Sequence, residues 1–131
     1  TNPLSSAADK KSMNSTKWLK VGIRDGASSN EVEKLQQIFN EVRHASRKRR
    51  WETKFMDTYS ETLKTWVENI SKLPALKTDG DFGANTQKAS KVIMGKGETN
   101  VCKARKKRTD ISLALKYSDP YAKWKNLCPT K

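Results

Sequence analysis

The chain has little of what metal or nucleophile chemistry needs. It holds one histidine, His44, and two cysteines, Cys102 and Cys128. A zinc site takes three or four nitrogen or sulfur ligands, so a histidine-based site is not expected. There is no Cys-x-x-Cys pair, Walker loop, GxGxxG or GxSxG run. A Ser-His-Asp triad would have to use His44, which sits beside a basic run. No stretch approaches the ~18–20 apolar residues that span a bilayer. Hydrophobic residues make up only 34% and mean hydropathy is −0.88, so the core must be lean. At 131 residues the chain can bury one core but not two. Two cysteines allow at most one disulfide. A Cys102–Cys128 bridge would contribute roughly 3 kcal/mol and would imply an oxidising compartment; two separate thiols are the other reading.

What the chain has in excess is positive charge. Lys and Arg number 27 against 14 Asp and Glu, a net charge of +13. The charge is concentrated. Residues 43–54 carry Arg43, Arg47, Lys48, Arg49, Arg50 and Lys54 against Glu52, and residues 103–108 carry Lys103, Arg105, Lys106, Lys107 and Arg108 with no acid. These two runs hold ten of the thirteen net charges. An anionic partner is therefore expected: nucleic acid, cell wall or an anionic surface. Arginine forks suit phosphates and carboxylates, and Trp51 beside them could stack on a base or a sugar. If helix continues past Arg47, then Arg43, Arg47, Arg50 and Lys54 share one face.

Periodicity predicts a mostly α fold, a small bundle of four to five helices. Residues 1–16 bury little and read as a disordered N-terminal arm, leaving 17–131 as one helical domain. Trp18 to Ile23 is a short apolar-basic segment, closed by an Asp25-Gly26 turn. Ser28 and Glu31 have capping-box spacing, before a helix carrying Val32, Leu35, Ile38, Phe39, Val42 and Ala45 to about Arg47. A second helix is predicted over Thr53–Leu73, with Phe55, Tyr59, Leu63, Trp66 and Ile70 inward and Pro74 stopping it. A third should run from Asn85 to Met94, with Ala89, Val92 and Ile93 inward and Gly95 ending it. Residues 96–108 read as a polar loop that becomes basic. Thr109 or Asp110 would cap a short helix through Tyr117, and Asp119-Pro120 would start a last one over Tyr121–Leu127. No segment alternates with period two.

Two segments resemble a known family. Leu19-Lys20-Val21-Gly22, followed by Val32-Glu33-Lys34-Leu35-Gln36, resembles the first half of the three-helix peptidoglycan-binding domain. Asp79-Gly80-Asp81-Phe82-Gly83-Ala84-Asn85-Thr86-Gln87-Lys88-Ala89 resembles its second half, Asp-Gly-x-Phe-Gly-x-x-Thr-x-x-Ala. The spacer after Gly22 is longer than the family's. About residues 43–77 form a basic, helix-bearing insert where the family has a short loop, and Val92-Ile93-Met94 replaces its usual Phe-Gln. The resemblance implies a noncatalytic wall-binding module in which Asp79, Gly80, Phe82 and Gly83 position a helix that Thr86 caps. In physical terms, Gly80 and Gly83 allow positive φ, and Phe82 can plug the helix junction.

The functional expectation is noncatalytic binding of an anionic polymer, first a bacterial cell wall, in a secreted or cell-envelope setting. The alternative is a nucleic-acid-binding protein, viral, virion-internal or intracellular, contacting phosphates through the two basic clusters. A further alternative is a helical effector that anchors on a host protein through Trp18, Trp51 or Trp124. A glycan hydrolase would need two acids about 5–9.5 Å apart. Glu61, Glu68, Asp79, Asp81 and Glu98 are available, but spacing alone pairs none of them. No cofactor is indicated.

Overall fold

Four helices follow one another in the computed structural model, which describes residues 16–26, 29–52 and 57–116. Helix α1 spans Glu31–Trp51, α2 Glu61–Ser71, α3 Ala84–Met94 and α4 Val101–Ala114. The protein is a small all-α bundle. Two isolated antiparallel bridges pair Leu19 with Thr99 and Arg24 with Asp81. No helix among these residues is long and apolar enough to cross a membrane.

α1 is the central element because it is wrapped on several sides. Val32, Leu35, Ile38, Phe39, Val42 and Ala45 are all buried, and so are the polar Asn30, Lys34 and Gln36. Val67 and Ile70 of α2, Ala89 and Ile93 of α3, and Val101, Ala104 and Ile111 of α4 complete the core. Leu19 and Phe82 close its ends from the loops.

The helix boundaries differ from the sequence pattern in three places. α1 continues past Arg47 to Trp51. Arg49 and Arg50 of its last turn meet partners on other elements, and cations suit the carboxyl end of a helix dipole. α2 begins at Glu61 and not at Thr53; Ser60 caps it by accepting from the Leu63 N–H at 3.1 Å. Tyr59 therefore precedes the helix, and its buried hydroxyl donates to the Leu115 carbonyl at 2.9 Å. Burial pushes the Tyr59 phenol above its ordinary value; Arg49 opposes the rise and Glu52 adds to it.

The third difference is the largest. The expected polar loop over 96–108 is instead mostly α4, which starts at Val101 and is capped by Asn100, whose side chain accepts from the Lys103 N–H at 2.8 Å. Thr109, expected to start a helix, is buried in its interior. The inward stripe of α4 includes Arg105, Arg108, Thr109 and Ser112 among its apolar residues, so hydrophobic spacing does not reveal it. α3 matches its expected span to within one residue and ends at Gly95 in the left-handed conformation, φ +80°. The arm at 1–15, Ser28, Lys54, Phe55, Trp124, Cys128 and the helix expected over 121–127 lie outside the described residues. Cys102 is buried and disulfide-bonded.

α4 ends less favourably than α3. Lys116 follows it with φ +55°, a left-handed conformation without a glycine. Such a position strains a residue that has a Cβ, and glycine relieves it. Lys116→Gly should raise stability by about 0.5–1 kcal/mol. Urea denaturation followed by circular dichroism checks this, and an unchanged or lower midpoint contradicts it.

Candidate functional site

The 79–86 turn is assembled from two directions. Asp25 comes from the N-terminal segment. Its N–H donates to the Gly80 carbonyl at 2.8 Å. Its carboxylate accepts from the N–H groups of Val32 and Glu33, both at 2.9 Å. Asp25 thus caps α1 from seven residues upstream; the N-cap residue Asn30 makes no side-chain cap bond. Gly80 has φ +76°, and a Cβ there would stand 2.8 Å from the Asp25 Oδ2. Conformation and space both require glycine.

Gln36 of α1 supplies the second direction. Its Oε1 accepts from the Gly80 N–H at 3.0 Å. Its Nε2 donates to the Asp81 carbonyl and the Thr86 Oγ1, each at 3.1 Å, and to the Asp79 Oδ1 at 3.3 Å. Phe82 is buried beneath and its backbone pairs with Ile23 and Gly22 at 3.0 and 3.1 Å. Two expected roles change. Gly83 is not left-handed; it is the extended N-cap of α3, at φ −102°. Thr86 does not cap α3, which has no side-chain cap bond; its hydroxyl turns inward to Gln36. The turn borders a cleft of about 320 Å³ lined by Gln36, Lys77, Asp79, Asp81, Asn85 and Thr86, among others. Asp79 lies well placed to stay ionised there. The Asp81 N–H donates to it at 3.0 Å. That bond, with the Gln36 amide, holds its carboxyl below the usual carboxylate value, partly opposed by burial.

The first basic cluster is largely built into the fold. Along one face of α1, residues 36, 40, 43, 47 and 50 meet the chain from residue 80 back to 68. Asn40 pairs reciprocally with the Leu76 backbone, donating to its carbonyl at 2.9 Å and accepting from its N–H at 2.8 Å. Arg43 donates to the Leu73 carbonyl at 2.5 Å and Arg47 to the Ser71 carbonyl at 3.3 Å. Both carbonyls lie at the carboxyl end of α2, where such groups lack helical partners. Arg50 binds Glu68 at 2.6 Å. Arg49 pairs with Glu52 and donates to the Lys116 carbonyl at 2.5 Å, just past the end of α4. Lys48 and Trp51 are exposed.

The second cluster divides. Arg105 and Arg108 are each only 2% exposed, with Arg108 facing Glu41 at 4.0 Å. They are interior residues and not the surface contacts that their run of charges suggested. Lys103 and Lys106 face solvent, with Lys107 half-buried. Lys103 sits over the Trp18 ring at 5.2 Å and Lys107 over the Trp66 ring at 5.3 Å. Two of the five candidate acids, Asp79 and Asp81, line the cleft. Glu61 pairs with Lys64, and Glu68 with Arg50 and Lys72. Site residues that the sequence did not single out are Asp25, Asn40, Lys77 and Asn85. Asp25 read only as half of an Asp-Gly turn, and its cap spans too many residues to show as a motif.

In comparisons with known proteins, no family, curated protein or solved structure matches the chain.

Two outcomes test this geometry. Gly80→Ala should destabilise by about 2 kcal/mol or more, combining a left-handed penalty with a clash; a loss below 0.5 kcal/mol by urea denaturation would show that the turn is not fixed by Asp25. Asp79 has a lowered value in the folded state, so its contribution is present above the ordinary carboxylate range and disappears as pH falls through it. The stability advantage of the wild type over Asp79→Asn should therefore shrink below about pH 4. A difference that stays constant with pH contradicts this assignment.

Proposed function

We propose that this chain is a noncatalytic wall-binding module resembling the peptidoglycan-binding domain, with the cleft beside the 79–86 turn as its ligand site. The observation that carries this reading is the Gln36 side chain. Gln36 belongs to the first resembling segment, while Asp79, Gly80, Phe82 and Thr86 belong to the second. The amide of Gln36 bonds Asp79, Gly80 and Thr86 of that second segment although more than forty positions lie between. Coincidental matches to two short patterns have no reason to meet at one hydrogen-bonded point.

The chemistry of the cleft supports a neutral or mixed-charge ligand. It offers the exposed Asn85 amide, one lysine and the carboxylates of Asp79 and Asp81, above the buried Gln36 and Thr86. Amides, hydroxyls and amino groups of a glycan–peptide polymer match that set better than phosphate does, because two carboxylates repel an anion. Recognition of this kind rests on hydrogen bonds and shape, so it should persist when salt screens exposed charge.

Retention on purified peptidoglycan sacculi across a salt series tests the proposal. The wild type should stay bound above ~0.3 M salt, where the Debye length is only a few ångströms. Asn85→Trp, placed on the exposed rim of the cleft, should abolish retention at that salt while leaving the circular dichroism spectrum unchanged. Elution of the wild type by moderate salt, or full retention of a folded Asn85→Trp variant, would overturn it.

A further inference from the structure

The far end of α1 carries a feature that the wall-binding cleft does not use. His44, Arg47, Lys48 and Trp51 follow one another at helical spacing on one face, and all four are exposed. Trp51 is the extreme case, 73% exposed. An indole in that position adds almost nothing to the core. Arg50 stands over its ring at 5.5 Å. Arg50 also binds Glu68 at 2.6 Å, and Glu68 in turn meets the exposed Lys72 at 3.8 Å. The surroundings thus include Arg47, Lys48, Arg50 and Lys72 against two acids, Glu68 and Glu52, the second of which is paired with Arg49. Arg47 commits one of its N–H groups to the Ser71 carbonyl, and a guanidinium has five.

We infer that this face binds single-stranded nucleic acid, with a base stacked on Trp51 and the flanking phosphates on Arg47, Lys48, Arg50 and Lys72. Charge complementarity selects a polyanion, and the indole selects one that also presents flat rings. A paired duplex hides its base faces, whereas a single strand can offer them. From His44 to Trp51 the helix rises about 10 Å, room for roughly three phosphates of a stacked strand. The face is also separate from the cleft, since Gln36 and Trp51 are about 22 Å apart along α1. Both sites can therefore be occupied on one molecule.

Fluorescence anisotropy with labelled 12-mers of oligouridine and oligodeoxythymidine tests the inference, with a base-free poly(glycerol phosphate) as competitor. The oligomers should bind and quench tryptophan emission. The competitor, at equal phosphate concentration, should displace them poorly. Trp51→Ala should weaken binding about tenfold, the lower part of the range for one base–aromatic stack, and Trp51→Phe should restore most of it. Replacing Arg47 and Lys48 together with Ala should lower the slope of log affinity against log salt by about 1.4, at about 0.7 per phosphate contact on a single strand. The Asn85→Trp cleft variant should bind the oligomers as the wild type does, so failure at the wall does not imply failure here. No binding by the wild type, equal displacement by the base-free polymer, or unchanged affinity of a folded Trp51→Ala variant would each overturn the inference.

Discussion

The side-chain amide of Gln36 is the joint on which the arrangement depends. It is buried in the second turn of the central helix, where an unpaired amide would cost about 1–3 kcal/mol. That cost is avoided only if the 79–86 turn arrives with a carbonyl, an N–H and a hydroxyl in the right places. The turn can arrive only if residue 80 is glycine, because Asp25 occupies the space that a Cβ would take. Asp25 is in turn committed to the first N–H groups of α1. The start of α1, the turn and the start of α3 thus satisfy one another, and none is complete alone.

Arginine plays a related part at the other end of the helix. A high positive charge suggests a surface built for anions, yet several of these cations terminate helices of the same molecule. Arg43 and Arg47 reach carbonyls at the end of α2, and Arg49 reaches one beyond α4. Carbonyl ends of helices carry partial negative charge, so they attract guanidinium groups as a phosphate does, more weakly. Arginine here therefore serves folding, and burial marks the residues given over to it entirely. Arg105 and Arg108 fall on the folding side, while Lys48 and Trp51 remain at the surface.

Much of the fold is legible in the sequence because apolar spacing and terminators agree. The inward residues of α1 and the Gly95 stop of α3 follow from local rules that packing does not override. Misreadings occur where polar residues take inward positions. α4 hides because Arg105, Arg108 and Ser112 interrupt its apolar stripe. α2 begins late because Tyr59 points at another helix from a non-helical position, which spacing cannot reveal. At the site, Gly80 and Phe82 are readable from turn chemistry. The cap from Asp25 and the reciprocal Asn40–Leu76 pair are long-range contacts between ordinary polar residues, and no local pattern announces them.

The side-chain ladder of α1 has a consequence for how this chain can vary. Surface connections usually tolerate insertions and deletions because their ends alone are fixed. Residues 71–80 are held at Ser71, Leu73, Leu76 and Gly80 by four successive side chains of one rigid helix. Helical rise sets the distance between those anchors, so the connection behaves like a tape laid against a ruler. One residue more or fewer displaces every mark beyond it. Length changes in homologous chains should therefore collect elsewhere, while this segment keeps its residue count even where its side chains drift.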